Sequence, residues 1–371
     1  MKRHPILFTA LLGFALSISC FASTSQLLYV QHGQSLLTYS VNPVTAATTK
    51  LGSLTLKSSQ AYGIQVLHAP SSPYVYVLGF TSKTNEFIWV YATTSKGVPI
   101  PTPIQTLPVK PALTRFLIHP NGNFAYALYD WVTDFQSVGD VVLYTVNPKT
   151  GKLVNTKKPV ANFPPSDWVA YTSLYGINGK GTKLYIQQFG IGTGDYYSAI
   201  DPKTGFLGKV THFWGDSNGE GENDISDFSD LLIAQAFNID LVGAGINIYK
   251  NMVDPDPSTP LIACTDAMLA ICGDAGDKVN FDPSGKYLLI TSNTINSVEI
   301  AKVNVTAKSL VATDSIPGTP STLVFSPNGK IVYAQEGNQV LIYIFDPATG
   351  LLGAKSSITI PSGFVFIYPA S

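Results

Sequence analysis

Apolar residues in this chain come in short runs, rich in β-branched and aromatic side chains, and broken at close intervals by clusters of Pro, Asn, Asp and Gly. That pattern predicts strands joined by tight turns rather than helices. The clearest instance is Leu323-Val-Phe-Ser-Pro327-Asn-Gly-Lys330-Ile-Val-Tyr-Ala-Gln-Glu-Gly-Asn-Gln-Val-Leu-Ile-Tyr343-Ile-Phe-Asp346-Pro-Ala-Thr-Gly350-Leu-Leu. It reads as strand, Pro-Asn-Gly turn, strand, polar loop, strand, Asp-Pro-x-Thr-Gly turn and the start of a fourth strand. Proline fixes φ at the corner, Asn or Asp caps its own backbone, and glycine supplies the positive φ that reverses the chain.

The same unit recurs. Its first turn returns as Pro120-Asn-Gly-Asn123, Ile177-Asn-Gly-Lys180 and Pro283-Ser-Gly-Lys286. Its second returns as Asn147-Pro-Lys-Thr-Gly151 and Asp201-Pro-Lys-Thr-Gly205, and in degraded form as Asn42-Pro-Val-Thr-Ala46. Four strands every 40 to 50 residues or so is the period of a β-propeller. Innermost strands are predicted near 64–69, 115–119, 172–177, 225–228, 278–281, 321–326 and 363–367, which makes seven blades. The blade near 224–272 is the most degenerate. Gly363-Phe-Val-Phe-Ile-Tyr368 has no strands after it, and Leu27-Leu-Tyr-Val, Leu36-Leu-Thr-Tyr-Ser and Leu51-Gly-Ser-Leu-Thr-Leu have no inner strand before them. Pairing the two ends completes one blade and removes two sheet edges. The expected fold is an all-β, seven-bladed propeller of four-stranded antiparallel blades, closed by its N- and C-terminal strands.

These repeats resemble the lactonase-type seven-bladed propellers, the superfamily of phosphogluconolactonase-like and YVTN-repeat proteins. The resemblance covers nearly the whole chain after residue 22 and rests on the two turn motifs. It implies a lactonase-like hydrolase acting on a lactone or sugar-derived ester, with a Gly-Pro-Arg-His stretch, an Asn-Glu-Leu segment and arginines on an anionic substrate. At the matching places this chain has Gly318-Thr-Pro-Ser-Thr322, Pro111-Ala-Leu-Thr-Arg115 and Ala334-Gln-Glu-Gly-Asn-Gln339. The catalytic motifs are not matched, and Arg115, the lone arginine beyond residue 3, cannot form a guanidinium cluster.

Composition narrows the function classes. With 13% charged residues and a net charge of −1, the chain lacks the basic surface that nucleic acid requires. Lys2, Arg3 and His4 precede an apolar run from Ile6 to Ile18, with Cys20 and Ala22 at the positions a signal peptidase inspects. Residues 1–22 therefore read as a signal peptide cleaved after Ala22, and 23–371 as a single propeller domain, secreted or periplasmic and monomeric. Lipidation of Cys20 is the alternative. The apolar run is short for a membrane span, and no other stretch is long enough to be one. Of the remaining cysteines, Cys264 and Cys272 are expected to form a disulfide in an oxidising compartment, with a metal-binding or reactive pair as the alternative.

One end of a propeller carries the turns after its first and third strands, and the other carries the mouth, where sites usually lie. His119 and His68 fall in the turns and are expected to cap them. The mouth loops hold many carboxylates, Asp195 and Glu336 among them, and three tryptophans, Trp131, Trp168 and Trp214; His32 also falls there. This set favours a cationic, polyhydroxylated or protein ligand, in short a small molecule, carbohydrate or protein at the mouth. Solvated loops with aromatic lids are the plain alternative. Asp216-Ser-Asn-Gly-Glu-Gly-Glu-Asn-Asp-Ile-Ser-Asp227 follows calcium-loop spacing, with Asp216, Asn218, Glu220 and Asp227 as oxygen ligands. Calcium is thus the one candidate cofactor, against an acidic, glycine-rich surface loop. No catalytic triad, zinc helix or phosphate loop is present, so catalytic residues stay unassigned.

Overall fold

The computed structural model describes residues 25–58, 64–68, 72–82, 85–109, 113–133, 136–162, 171–189, 195–214, 227–228, 232–239, 243–250, 261–264, 278–292, 296–361 and 365–370. Their strands assort into four-stranded antiparallel sheets, each a meander in chain order. The first sheet is the exception: the C-terminal strand Val365–Ala370 lies innermost and pairs with Gln26–His32, followed by Ser35–Val41 and Thr48–Thr55. Its register sets Leu27 opposite Ala370, Tyr29 opposite Tyr368 and His32 opposite Val365. The second to seventh sheets start from Gln65–His68, Leu113–Ile118, Tyr171–Ile177, Asp227–Phe228, Lys278–Phe281 and Thr322–Phe325. The inner-strand positions expected from the repeat match these to within a few residues.

Buried hydrophobic clusters lie between successive sheets, as in a propeller. Tyr76, Leu78 and Ile88 of the second sheet meet Phe116, Ala127 and Tyr144 of the third. Similar clusters join the third to the fourth, the fifth to the sixth, the sixth to the seventh, the seventh to the first and the first to the second. Among the described residues no such cluster joins the fourth sheet to the fifth, and the connecting residues 215–226 lie outside them. The expectation of a closed ring of seven blades is corrected to that extent. Six packed junctions are shown among the described residues, and the seventh falls on side chains outside them. The fifth sheet is also the one whose segments carry neither turn motif of the repeat.

The turns form as their chemistry predicts. Asn42, Asn147, Asp201 and Asp346 each accept the backbone N–H two residues on at 2.8–3.0 Å. Asp282 accepts the N–H groups of Ser284, Lys286 and Tyr287, and Ser326 accepts that of Ile331. His119 caps its own turn through Asn121 N–H at 3.1 Å, and its Nε2 lies 2.8 Å from the carbonyl of Gly181 in the next sheet. The capping role expected of His119 is therefore observed, with an inter-sheet contact added. His68 packs its ring 6.0 Å from that of Tyr29 and leaves Nδ1 without a partner. Burial lowers its pKa from the ordinary 6.5.

A repeated tether ties three of the sheets to the next. A tyrosine in the second strand donates to the carbonyl of the glycine that ends the next sheet's second turn. Tyr29 reaches Gly97 at 2.8 Å, Tyr76 reaches Gly151 at 3.0 Å and Tyr126 reaches Gly205 at 2.8 Å. The first residue of the same strand covers that glycine: a Cβ on Gly205 would lie 2.6 Å from Phe124, and one on Gly350 2.3 Å from Tyr287. Glycine is required there for its φ of +73° and +80° and for the close approach of the aromatic ring.

Candidate functional site

Second strands run from the turn end of a sheet to the mouth end, and innermost strands start at the mouth. Four of the second strands are apolar for most of their length and turn polar toward the mouth. Leu27-Leu-Tyr-Val gives way to Gln31-His32, Leu184-Tyr-Ile to Gln187-Gln188, Leu288-Leu-Ile to Thr291-Ser292, and Ile331-Val-Tyr-Ala to Gln335-Glu336. The lower parts fill the cores; the upper parts form a polar crown. Alternation along a strand sends successive side chains to opposite faces, so Gln31-His32 and Gln335-Glu336 each offer one group to either neighbouring sheet.

Polar groups at the same end, mostly outside the second strands, pin the starts of the innermost strands. Tyr368 donates to the Ile64 carbonyl at 2.9 Å and lies 3.2 Å from Gln31 Oε1. Gln65 Oε1 accepts Phe116 N–H at 3.0 Å, and Glu86 Oε2 accepts Leu113 N–H at 3.2 Å. Gln34 donates to the Ser58 carbonyl, and the Ser58 hydroxyl bonds both backbone groups of Phe80. Sequence reasoning missed all of these. For Gln65 the signal was a polar residue within an otherwise apolar innermost strand, Ile64-Gln-Val-Leu67.

Other groups at this end are buried and lack partners: Thr291 Oγ1 and Gln335 Oε1, with Glu299 Oε2 on a neighbouring strand. Desolvation raises the Glu299 carboxyl above its ordinary pKa. Arg115 is exposed on its innermost strand, close enough for its charge to oppose the rise that burial imposes on the Tyr368 phenol.

The expected site residues are brought together only in part. His32 is half-buried at the end of its strand, opposite Ser35, and Glu336 is exposed beside Gly337, opposite Gln339. Asp195 and Trp214 are direct cross-strand partners in the fourth sheet. Trp131 lies near the mouth end of Phe124–Thr133, opposite Val138. Asp227 begins its sheet's innermost strand, and Cys264 ends the outermost strand of that sheet, opposite Ile246. Trp168, Asp216, Asn218, Glu220 and Cys272 lie outside the described residues. Among the described residues no group of three or more His, Cys, Asp or Glu side chains could hold a metal ion. No described helix is long and apolar enough to cross a membrane.

No protein-family profile matches the chain, and no curated protein matches it. Solved structures do. A candidate 6-phosphogluconolactonase from Bacteroides uniformis superposes with a TM-score of 0.59 at 15% identity, covering 92% of this chain and 99% of the other. A second, from Bacteroides fragilis, gives 0.57 at 16% identity, covering 94% and 99%. A hypothetical selenium-binding protein from Sulfolobus tokodaii gives 0.57 at 11% identity, covering 94% and 93%. Likeness at such identities establishes a shared propeller fold and leaves activity open.

Proposed function

We propose that this protein is an exported propeller that binds a small polyhydroxylated or cationic ligand at the mouth end of its sheets. The observation that carries the reading is the polar crown. Four of the second strands change from apolar to polar toward the mouth, and there Thr291 and Gln335 keep buried polar atoms unpartnered. A buried hydroxyl or amide without a partner costs stability, so its retention suits a ligand or water that completes the bond. His32, Glu336, Trp131, Trp168, Asp195 and Trp214 are the ligand-facing residues in this reading. Thermal melts with neutral sugars, sugar lactones and polyamines test it. A stabilising ligand should lose its effect with His32→Ala or Glu336→Gln, whereas a flat response to every compound class would overturn the reading.

Lactone hydrolysis is the second reading, favoured by Arg115 on an innermost strand beside Tyr368. One guanidinium there could meet an anionic sugar lactone. Proton release from such a lactone, lost in Arg115→Ala, would move this reading ahead of simple binding.

The same proposal takes the sheets as seven blades of one closed ring. Pairing of Val365–Ala370 with Gln26–His32 and the unbroken run of cores from the fifth sheet round to the fourth support it. It includes cleavage of a signal peptide after Ala22, a Cys264–Cys272 disulfide and calcium held by Asp216, Asn218, Glu220 and Asp227. The N-terminal charge and apolar pattern, the even cysteine pair and the loop spacing support these in turn.

A further inference from the structure

The end opposite the mouth has a character of its own. Five of the large hydrophobic side chains that stand exposed are in or beside the turns that follow third strands: Val44, Ile100, Phe206, Val305 and Leu351. The remaining two among the described residues, Val154 and Val311, lie within the first three positions of outermost strands, which start at that same end. Together they place seven exposed apolar side chains at one end of the described structure.

Charge follows the same division. The turns after third strands expose Lys96, Lys149, Lys152, Lys203 and Lys308, and those after innermost strands expose Lys180, Lys286 and Lys330. The described acids in these turns are Asp201, Asp282 and Asp346. Asp282 is buried, and all three carboxylates cap backbone N–H groups. A chain with a net charge of −1 and such a lysine excess at one end carries a compensating negative excess elsewhere.

The first and last described strands meet at the same rim. Gln26 starts a second strand at the turn end, and the innermost strand Val365–Ala370 finishes there.

We propose that this turn face docks on an anionic phospholipid bilayer, with the exposed apolar side chains entering the headgroup layer and the lysines pairing with lipid phosphates. Apolar side chains interspersed with lysines on one surface are what such an interface requires. Docking in this pose directs the mouth away from the membrane. It goes beyond the ligand reading and does not depend on it.

Co-sedimentation of the full chain with phosphatidylcholine vesicles, and with vesicles that also contain phosphatidylglycerol, tests the proposal. Residues 1–22 are common to every variant, so differences between variants report the folded surface. Binding should require phosphatidylglycerol and fade with added salt. Combined Lys149→Glu, Lys203→Glu and Lys308→Glu should lower partitioning more than about tenfold, while Lys57→Glu, outside these turns, should change it little. Combined Phe206→Ser and Leu351→Ser should weaken binding at constant charge. Melting curves check that each variant is folded. Equal capture by neutral vesicles, insensitivity to the triple reversal, or binding to heparin without binding to vesicles would each overturn the proposal.

Discussion

Tyr126 in the third sheet donates its phenolic hydrogen to the carbonyl oxygen of Gly205 in the fourth, 2.8 Å away. Tyr333 holds the corresponding place in the seventh sheet, equally buried, but its hydroxyl has no partner. The glycine of the neighbouring turn is Ala46 at that junction, and the Ala46 carbonyl is taken by Ser356 at 2.6 Å. The two tyrosines should therefore respond oppositely to loss of the hydroxyl. Tyr126→Phe strands a carbonyl and should cost about 1 kcal/mol. Tyr333→Phe removes an unsatisfied group and should be neutral or gain up to about 1 kcal/mol. Urea unfolding midpoints decide, and equal losses would show that the tether does not distinguish the junctions.

The second-turn glycine can be tested directly. A methyl on Gly350 would lie 2.3 Å from Tyr287 Cε1 and 2.8 Å from Thr313 Oγ1, at a φ of +80°. Gly350→Ala should cost at least about 2 kcal/mol from left-handed strain and overpacking. Ala46 already occupies this conformation at φ 58° with its methyl buried. Ala46→Gly should relieve strain of about 1 kcal/mol and lose a similar amount to the freer unfolded chain, leaving the melting temperature nearly unchanged.

Those two positions show what was legible in the sequence and what was not. Pro283-Ser-Gly-Lys286 and Asp201-Pro-Lys-Thr-Gly205 are local, because each residue acts on backbone within a few positions, so the turns and the strands they bound could be read directly. The tether from Tyr126 to Gly205 spans 79 residues and leaves no local mark. At the mouth, His32 and Glu336 could be placed from their position after a strand. Gln65 and Glu86 could not, because their partners, the N–H groups of Phe116 and Leu113, belong to the next sheet. The fifth sheet offered few turn residues and was correspondingly obscure.

Burial lowers the pKa of His68 from the ordinary 6.5. Above that value the imidazole is neutral in both folded and unfolded chains, and its contribution to stability is intact. As pH falls through the unfolded pKa, the unfolded chain takes up a proton that the folded chain resists, and stability declines until pH passes the folded pKa. Asp201 and Asp346, both held below the ordinary 3.8 chiefly by turn hydrogen bonds, act in a separate window. Their contribution is present above 3.8 and is lost as pH falls below it. Melting temperatures between pH 8 and pH 5, about the range His68 governs, should fall in the native chain and flatten in His68→Phe, which can still pack on Tyr29. An unchanged slope in that variant would assign the acid sensitivity to another group.

The calcium site proposed at residues 216–227 predicts a stability gain by mass action. At calcium about a hundredfold above the dissociation constant the gain is roughly 2.7 kcal/mol. It should vanish in Asp216→Ala, and magnesium should replace calcium poorly because it demands tighter octahedral geometry. Coincident melting curves in calcium, magnesium and chelator would reduce the segment to a solvated acidic loop.

The junction of the chain ends makes the most severe prediction. Val365–Ala370 pairs with Gln26–His32 along its whole length, and its side chains serve two cores at once. Ile367 packs with Val30, Tyr333 and Ile342 toward the seventh sheet, while Ala370 and Tyr368 pack with Tyr29 and Val66 toward the second. Tyr368 also holds the Ile64 carbonyl, so the strand fixes the start of the second sheet as well as completing the first. Deleting residues 362–371 would remove all of this and leave Gln26–His32 as an open edge beside two exposed cores. Ile367→Ala alone should cost about 2–4 kcal/mol through lost burial and the cavity left behind. Adding the ladder and the second core exceeds what a domain stable by about 5–15 kcal/mol can absorb, so the truncated chain should aggregate or fail to melt cooperatively. The point substitution separates the effect of packing from that of the open edge: it should lower stability without aggregation. A truncated protein that stays soluble and melts within a few degrees of the full chain would mean that the terminal pairing does not hold the ring together.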